Sequence, residues 1–466
     1  MGKLKFILLA FCAIICFGAC SDSDDYGMEF SSTGLYFQWG GEPQTISYTT
    51  TNVTSVAVKS ITSGWKCDIN QTAQTMTITP PAEPETDADR DKMRDCDIMF
   101  TITSKKGDTT TYSIDCYITG DKLNLLNSDG KYANSYVVSK PMTAYLLDIS
   151  RNGAGEPLAG VSGAKIVWQS ENSLIEHLVY NDKDNTVSFY VNAQTEEDDD
   201  DVYIKEDGQY VMRTGNALIA ATDAKDNILW SWHIWLTDEP QGQEYYNNAG
   251  TMMDRNLGAT SATPGDVGAL GLLYQWGRKD PFLGSSSLNS TYSDWHTAKS
   301  TITWPSSVDS YYDTGTIEYA IAHPTTYIYH NPNNEDWYYS TGEYTNDSRW
   351  RSEKTIYDPC PVGWRVPDGG KDGIWSKALG ISHRVLSDDI GFNRGINFFG
   401  MLGNDSNIWY PVTTDYGALS LAVGCYWSCT TIGISAYYLH FKPGEYNPAE
   451  YDRCRSSRFS VRCVQE

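Results

Sequence analysis

The stretch that decides the fold is Ile228-Leu229-Trp230-Ser231-Trp232-His233-Ile234-Trp235, which is apolar at nearly every position. A second apolar run covers residues 217–222, and the polar residues 223–227 between the two runs have the composition of a turn. This pattern predicts a β-hairpin. A strand that is apolar on both faces is buried on both faces. The hairpin is therefore expected inside a β-rich protein, with His233 as a core residue and not a catalytic one.

Composition sets limits on the rest of the chain. Its 466 residues carry 35 Lys and Arg against 59 Asp and Glu, for a net charge of −24. Phosphate backbones and anionic lipid surfaces attract basic proteins, so the acidity argues against nucleic acid as a partner and against adsorption to anionic lipid. Apolar residues make up 40% of the chain and charged residues 20%, which is typical of folded domains. The length predicts about three or four of them.

The amino terminus has the pattern of a signal peptide. Lys3 and Lys5 precede an apolar run at residues 6–17, and small residues follow it. At about 1.5 Å per residue, this run is too short to cross a hydrocarbon core of about 30 Å. We therefore predict that residues 1–19 are a secretion signal.

The end of this segment, Phe17-Gly18-Ala19-Cys20, resembles the lipobox of bacterial lipoproteins. The resemblance implies that Cys20 carries the lipid, palmitate included, and that residues 20–33 tether the protein to the outer membrane. The acidic residues 21–25 resemble the surface-export signal of Bacteroidota lipoproteins, which implies exposure at the cell surface. The alternative for these residues is a plain solvated tether. The lipid anchor is the membrane contact that the sequence predicts.

Residues 34–120 show short alternating runs separated by Gly, Pro and Asn. Alternation with a period of two predicts antiparallel strands with one buried face, and the segment is long enough for an immunoglobulin-like β-sandwich. Ser63-Gly64-Trp65 and Thr77-Ile78-Thr79-Pro80 resemble BACON-type modules, which implies a surface β-sandwich and only loosely suggests carbohydrate binding. We predict that Trp65 lies in the core.

A second β-sandwich is predicted over residues 121–249, which include the hairpin described above. The acidic run at residues 196–201 lacks the alternating ligands and the glycine of a calcium-binding loop, and we interpret it as a solvated loop. The chain has no CxxC spacing that would favour a zinc site. No metal and no cofactor is predicted.

Residues 250–466 contain five blocks in order, at 253–259, 271–282, 358–367, 426–428 and 460–464. Among them are Tyr274-Gln275-Trp276-Gly277 and Asp358-Pro359-Cys360-Pro361. Together the blocks resemble the Fibrobacter major paralogous domain, a family of extracellular modules on Bacteroidota surface lipoproteins. That family is similar to C-type-lectin-like folds. The expected fold class is therefore mainly β, with two immunoglobulin-like β-sandwiches followed by an α+β lectin-like domain.

The same resemblance implies a disulfide between an early helix and the last strand of the lectin-like domain. Cys360 enters a proline-rich turn and Cys463 lies in the terminal strand, so we predict a Cys360–Cys463 bridge. Cys429–Cys454 is a second predicted pair. In an oxidising compartment disulfides are the default state of cysteines. The sequence leaves four further cysteines unassigned: Cys67, Cys96, Cys116 and Cys425.

Residues 285–350 form an aromatic insert with few aliphatic residues. Aromatic faces with amide and carboxylate groups suit sugar recognition, and the same composition suits protein recognition. The alternative is a structured loop whose rings cover a small core. The predicted ligand-binding residues are Trp295, Trp304, Tyr312, Trp337, Tyr338, Tyr339 and Trp350.

The motifs of common enzyme classes are missing from the sequence, namely the G-x-S-x-G elbow, HExxH and the P-loop. We therefore expect a binding protein and not an enzyme. The predicted function is that of a surface lipoprotein whose distal module binds a glycan or another surface ligand, of host or bacterial origin. One alternative is a fimbria-associated or structural adhesive protein that contacts protein partners. A second alternative is a polysaccharide-degrading enzyme.

Overall fold

The computed structural model describes residues 26–119, 124–171, 173–196, 199–283, 307–342, 345–387, 395–412 and 423–466. With 43% strand and 6% helix, the protein is mainly β, as predicted. The chain forms two compact units, one of Met1–Leu35 with Trp39–Tyr117 and the other of Tyr36–Gln38 with Ile118–Glu466. Within the described residues no helix is long and apolar enough to span a membrane. The predicted signal peptide and Cys20 lie outside the described residues.

The first part of the chain folds into two four-stranded sheets, in the orders β1-β3-β6-β5 and β2-β8-β7-β4. The elements are β1 (Gly27–Phe30), β2 (Gly34–Phe37), β3 (Gln44–Thr51), β4 (Val53–Ser60), β5 (Lys66–Asn70), β6 (Thr75–Thr79), α1 (Asp87–Arg94), β7 (Asp95–Ser104) and β8 (Thr109–Ile118).

The two sheets face each other. Alternate residues of β7, such as Ile98 and Phe100, are fully buried, and the ring of Phe100 lies 5.6 Å from that of Phe30 on the other sheet, centre to centre. Trp65 is 4% exposed and donates its indole N–H to the carbonyl of Met93 at 2.8 Å. The period-two pattern thus produces a sandwich, and Trp65 is a core residue as predicted.

The next part of the chain contributes two more four-stranded sheets, in the orders β13-β14-β11-β9 and β10-β20-β19-β12. The strands are β9 (Asn124–Leu125), β10 (Ser135–Val138), β11 (Thr143–Asp148), β12 (Gly163–Gln169), β13 (Glu176–Asn181), β14 (Thr186–Val191), β15 (Thr195–Glu196), β16 (Asp199–Tyr203), β17 (Lys205–Glu206), β18 (Gln209–Tyr210), β19 (Gly215–Thr222) and β20 (Ile228–Leu236), with a 3-10 turn at Ser128–Gly130. One hydrophobic cluster contains residues from both four-stranded sheets.

Strand β20 occupies an inner position of its sheet and is buried on both faces, as its sequence predicts. Trp232 and Ile234 pack into the cluster between the two sheets. Trp235, which points the other way, packs with Trp276 and Trp427 from the carboxyl-terminal part of the chain. The segments on either side of the predicted boundary at residues 249 and 250 therefore share a hydrophobic core.

The carboxyl-terminal part contains a six-stranded sheet in the order β23-β31-β28-β29-β30-β25 and a four-stranded sheet in the order β21-β22-β32-β24. Its elements are β21 (Gly242–Tyr245), β22 (Gly250–Met253), β23 (Leu273–Gln275), α2 (Ile317–Ala322), β24 (Trp364–Arg365), α3 (Ile374–Leu379), β25 (Val385–Leu386), β26 (Gly395–Asn397), β27 (Trp409–Pro411), β28 (Gly424–Ile432), β29 (Ser435–Lys442), β30 (Glu445–Glu450), β31 (Arg458–Ser460) and β32 (Val464–Gln465), with a 3-10 turn at Val267–Ala269. The lectin-like layout of this part stays a prediction.

His233 of β20 is a core residue that forms hydrogen bonds through both ring nitrogens. It is 1% exposed, and its Nδ1 lies 2.5 Å from the hydroxyl of Ser135. Its Nε2 lies 2.9 Å from the side-chain oxygen of Asn216, whose amide nitrogen donates to the carbonyl of Gly258. Because the Asn216 oxygen can only accept, Nε2 carries the proton and the ring is neutral. Burial lowers the pKa of His233 to about 3.

This buried imidazole should make the protein less stable in acid. The unfolded chain binds a proton at His233 below about pH 6.5, whereas the folded chain binds it only near pH 3. Stability from this group is therefore present above pH 6.5 and is lost as the pH falls, by about 2 kcal/mol between pH 8 and pH 5. We expect His233→Gln to flatten the pH dependence of the unfolding free energy by that amount in urea titrations.

The matched control for this experiment is His383→Gln, because His383 is exposed. It should leave the slope of stability against pH unchanged. Equal slopes for the wild-type protein and His233→Gln would show that His233 is not the group responsible.

Candidate ligand-binding groove

Two of the predicted ligand-binding residues, Trp337 and Trp350, lie in the core. They are 1% and 0% exposed. The indole N–H of Trp337 donates to the carbonyl of Trp276 at 2.8 Å, and that of Trp350 donates to the carbonyl of Tyr357 at 2.8 Å. A buried indole offers no open ring face to a sugar, so neither Trp337 nor Trp350 forms the exposed stacking surface expected from the sequence, although Trp350 contributes to the wall of the groove described below.

A cluster of buried arginines packs against the ring of Trp337 and the neighbouring ring of Trp276. The guanidinium carbon of Arg349 lies 4.6 Å from the ring centre of Trp337 and 4.9 Å from that of Trp276. Arg455 lies 4.5 Å from the ring centre of Trp276. Asp336 forms a salt bridge with Arg349 and lies 3.6 Å from Arg455. All three charged side chains are fully buried, so the rings of Trp276 and Trp337 pack against buried cations of the same chain, which desolvated rings bind favourably.

The three remaining predicted residues that the structure describes, Tyr312, Tyr338 and Tyr339, differ in their exposure. Tyr312 is 77% exposed, whereas Tyr338 and Tyr339 are half-buried. The ring of Tyr338 packs edge-on against Trp337 at 6.4 Å between ring centres. Among the described residues no ring contact joins Tyr312 to another member of the predicted set. The other two members, Trp295 and Trp304, lie outside the described residues.

The cysteines confirm one of the two predicted disulfides. Cys360 and Cys463 are bonded, with 6.1 Å between their Cα atoms. Cys429 and Cys454 are both free thiols, so the second predicted pair is wrong. The Cys429 thiol instead donates to a carboxylate oxygen of Asp368 at 3.4 Å. Burial beside that carboxylate raises the pKa of Cys429, so this thiol stays protonated and is a poor nucleophile.

An open groove of about 510 Å³ lies beside Cys429 in the carboxyl-terminal part. Its lining residues are Asp347, Trp350, Arg351, Ser352, Glu353, Cys429, Thr430 and Thr431. The register between β28 and β29 shifts between Trp427 and Thr431. Irregularities of this kind redirect the side chains of a strand, and the groove residues Cys429 and Thr430 lie in this stretch.

Hydrogen bonds hold the groove's polar walls in place. Asp368 accepts from the hydroxyl of Ser352 and from the guanidinium of Arg365 at 2.8 Å. Those two contacts hold the pKa of the Asp368 carboxyl below its usual range although burial opposes them. On the opposite side, Asp347 is bound by Arg455 at 2.6 Å. Asp347 therefore connects the groove to Arg455 of the buried arginine cluster.

Two charged side chains of the groove are left available for a ligand. Arg351 and Glu353 are exposed, and neither has an ion-pair or hydrogen-bond partner among the described residues. The guanidinium can donate several hydrogen bonds, and the carboxylate can accept them. Together they match a ligand that presents both hydroxyl donors and oxygen acceptors.

A pair of tyrosines lies next to the groove. The amide of Gly369 donates to the hydroxyl of Thr430 at 2.9 Å, which joins the groove to the turn at Gly369 and Gly370. A Cβ on Gly370 would come within 2.9 Å of the Tyr437 ring, and its φ of +75° also favours glycine. Tyr437 packs against Tyr451, which is 51% exposed, with 5.8 Å between ring centres.

Of the residues that line this groove, the sequence-based set of ligand-binding residues included Trp350 alone, because the others are ordinary when taken one by one. Arg351, Ser352 and Glu353 form a short polar stretch, and threonines such as Thr430 are common in strands. The sequence feature that could have indicated the groove is the position of two of the blocks that resemble the Fibrobacter major paralogous domain. The block from Asp358 to Pro367 and the block from Tyr426 to Ser428 both end at the groove. Within the described residues, no group of three or more His, Cys, Asp or Glu side chains is placed to hold a metal ion.

Comparisons with known proteins give no family for the chain. No family model matches it, and no curated protein matches it. The human desmocollin-1 ectodomain aligns at 11% identity with a TM-score of 0.16, over 50% of this chain and 46% of that chain. A Bacteroides ovatus SGBP-B in complex with a mixed-linkage heptasaccharide aligns at 12% identity with a TM-score of 0.13, over 46% of each chain.

The tandem Ig repeats of Dlar align at 10% identity with a TM-score of 0.14, over 45% of this chain and 96% of that chain. The chain thus spans about half the length of the desmocollin-1 and SGBP-B structures that it matches. With TM-scores this low, we draw no conclusion about ligands from these three structures.

Proposed function

We propose that this protein is a lipid-anchored surface protein of the outer membrane whose carboxyl-terminal part binds a glycan in the groove. The observation that carries the proposal is the groove of about 510 Å³ itself, which is lined by Arg351 and Glu353, two side chains without a partner among the described residues. Sugars present many hydroxyl groups that both donate and accept hydrogen bonds. The neighbouring Tyr451 ring can pack against the C–H face of a pyranose.

The anchor and the binding module have separate support. Phe17-Gly18-Ala19-Cys20 supports lipidation at Cys20, and the acidic residues that follow support surface exposure. The blocks that resemble the Fibrobacter major paralogous domain support an extracellular binding module. Two β-sandwiches before that module would act as a stalk.

A glycan array probed with the full chain tests the binding proposal. We expect one or more glycans to bind, and we expect Arg351→Ala and Glu353→Ala each to lower the affinity about ten- to hundredfold. A lost hydrogen bond to a charged group costs roughly 1.5–3 kcal/mol, and about 1.4 kcal/mol corresponds to a tenfold change in affinity. Titration calorimetry on the best glycan measures the loss.

The variants Tyr312→Ala and Tyr451→Ala distinguish glycan binding in the groove from glycan binding at the aromatic insert. Both tyrosines are more than half exposed, so neither substitution should unfold the protein. Loss of affinity in Tyr451→Ala alone supports the groove. Loss in Tyr312→Ala alone, or no glycan bound by the wild-type chain, would contradict the proposal, and turnover of a bound polysaccharide would make the protein an enzyme.

A second candidate function is adhesion to a protein partner. Tyr311 and Tyr312 are 58% and 77% exposed side by side, and paired exposed tyrosines are typical of protein-binding surfaces. A pull-down that captures a pilin-like protein with the wild-type chain, but not with Tyr311→Ala/Tyr312→Ala, would favour this candidate over the groove.

A further inference from the structure

Three cysteines that the sequence leaves unassigned lie in the interior of the first unit. Cys96 on β7 and Cys116 on β8 are direct partners in the antiparallel register. They are 2% and 0% exposed. Cys67 lies on β5 of the facing sheet, where it pairs with Ile78, and it is half-buried.

Both members of the pair on β7 and β8 point into the same core. Burial alternates along each strand, so Cys96 shares its face with Ile98, and Cys116 shares its face with Ile114. Directly opposed residues in an antiparallel pair have Cα atoms about 4.5–5.5 Å apart. A disulfide requires about 4.4–6.8 Å between Cα atoms. The two sulfur atoms can therefore be joined with the strands in their present register.

Cys67 is a poorer partner for either thiol. Facing sheets pack about 10 Å apart, about twice the separation of Cys96 and Cys116 within their ladder. A bond from Cys67 would have to cross between the two sheets, as the inter-sheet disulfide of immunoglobulin domains does, whereas a bond between Cys96 and Cys116 joins directly opposed residues of one ladder. The geometry favours the pair within one sheet.

We propose that Cys96 and Cys116 form a cross-strand disulfide when the protein folds in an oxidising compartment, and that the two thiols seen here are the reduced form of that site. The signal peptide predicted at residues 1–19 delivers the chain to such a compartment. The oxidant is a disulfide-bearing protein or small molecule. One cysteine thiolate attacks the oxidant's disulfide and forms a mixed disulfide, and the second displaces the oxidant. The S–S bond forms, and the oxidant leaves as two thiols, having taken up the two electrons and two protons.

The bond has to form before the sandwich closes. Burial raises the pKa of Cys116, and the neighbouring Cys96 thiol raises it further. Burial also raises the pKa of Cys96, although hydrogen bonds with Thr62 oppose the shift. Thiol–disulfide exchange needs a thiolate, so both groups are unreactive once the fold has buried them. The bridge is then a feature of the folded protein and not a switch that opens and closes in it.

Trypsin places the three cysteines on separate peptides, which gives a direct test. Cleavage after Arg94, Lys105 and Lys106 separates Cys96 from Cys116, and residues 67–90 form a third peptide that contains Cys67. The full chain with its own leader is secreted, denatured, alkylated without reduction and digested. We expect peptide 95–105 linked to peptide 107–122, at the sum of their masses less two hydrogen atoms. Reduction should abolish the linked species.

Two results would overturn the proposal. One is full alkylation of Cys96 and Cys116 before reduction. The other is a link from peptide 67–90 to either of them. Cys67→Ser is the matched control and should leave the 95–105 to 107–122 link intact. As a second measurement, unfolding, reducing and refolding the protein without an oxidant should accelerate hydrogen exchange in residues 95–105 of the wild-type chain but not of Cys96→Ser/Cys116→Ser. An equal effect of this treatment on both proteins would also contradict the bridge.

Discussion

Asp336→Asn should destabilise the second unit by about 3–5 kcal/mol, because it removes the negative partner of a buried ion pair. Asp336 and Arg349 are both fully buried and form a salt bridge. Arg455, also fully buried, lies 3.6 Å from the same carboxylate. An asparagine of nearly the same size would leave Arg349 without its carboxylate partner, whereas Arg455 would keep its contact with Asp347 at 2.6 Å. Urea unfolding followed by tryptophan fluorescence measures the loss.

Two further variants make this prediction specific. Arg351→Ala removes an exposed arginine two residues from Arg349 and should change stability by less than about 0.5 kcal/mol. The double variant Asp336→Asn/Arg349→Met replaces the pair by neutral side chains and should recover part of the loss, since uncompensated charge is the main cost. A destabilisation by Asp336→Asn no greater than that by Arg351→Ala would contradict the assigned role of the cluster.

The sequence predicted best where burial imposes a simple pattern. The run of β20, apolar at nearly every position, predicted a strand buried on both faces, and the structure confirms it, with one hydrophobic cluster around Trp232 and another around Trp235. The bond between Cys360 and Cys463 was also predicted correctly. The resemblance to the Fibrobacter major paralogous domain implied one cysteine in a rigid turn and the other in the last strand.

The prediction of exposed ligand-binding rings did not anticipate that aromatic residues of the insert pack against cationic side chains of the same chain. Trp337 in a polar, tyrosine-rich segment resembles part of a ligand-binding face, because the segment does not show that Arg349 will pack on its ring or that Arg455 will pack on Trp276, whose carbonyl accepts a hydrogen bond from Trp337. Arg455 lies more than 100 residues further along the chain than Trp350 and Trp337. Such contacts depend on tertiary packing, which periodicity within one segment does not encode. Most of the groove could not be predicted for the same reason. Its two walls come from residues 347–353 and 429–431, which only tertiary packing brings together.

Removing the Cys360–Cys463 disulfide should cost about 4–5 kcal/mol. The bond closes a loop with a sequence separation of 103 residues, and the chain-entropy model gives about 4.7 kcal/mol for a loop of about 100 residues. Both cysteines are fully buried. Cys463 is followed by β32, which pairs with β22 and β24, so the bond holds the end of the chain in the middle of a sheet. Chemical denaturation of Cys360→Ala/Cys463→Ala measures the cost.

Cys429→Ala separates the effect of the bond from the effect of removing a buried sulfur atom. Cys429 is 4% exposed and belongs to the same hydrophobic cluster as Cys360 and Cys463, but it is a free thiol. Its substitution should cost about 1 kcal/mol, as is typical of a single substitution. If constraint of the unfolded chain is the source of the stability, reducing the wild-type protein should lower its unfolding free energy nearly to that of Cys360→Ala/Cys463→Ala. A double variant that loses no more than twice the cost of Cys429→Ala would show instead that the bond adds nothing beyond packing.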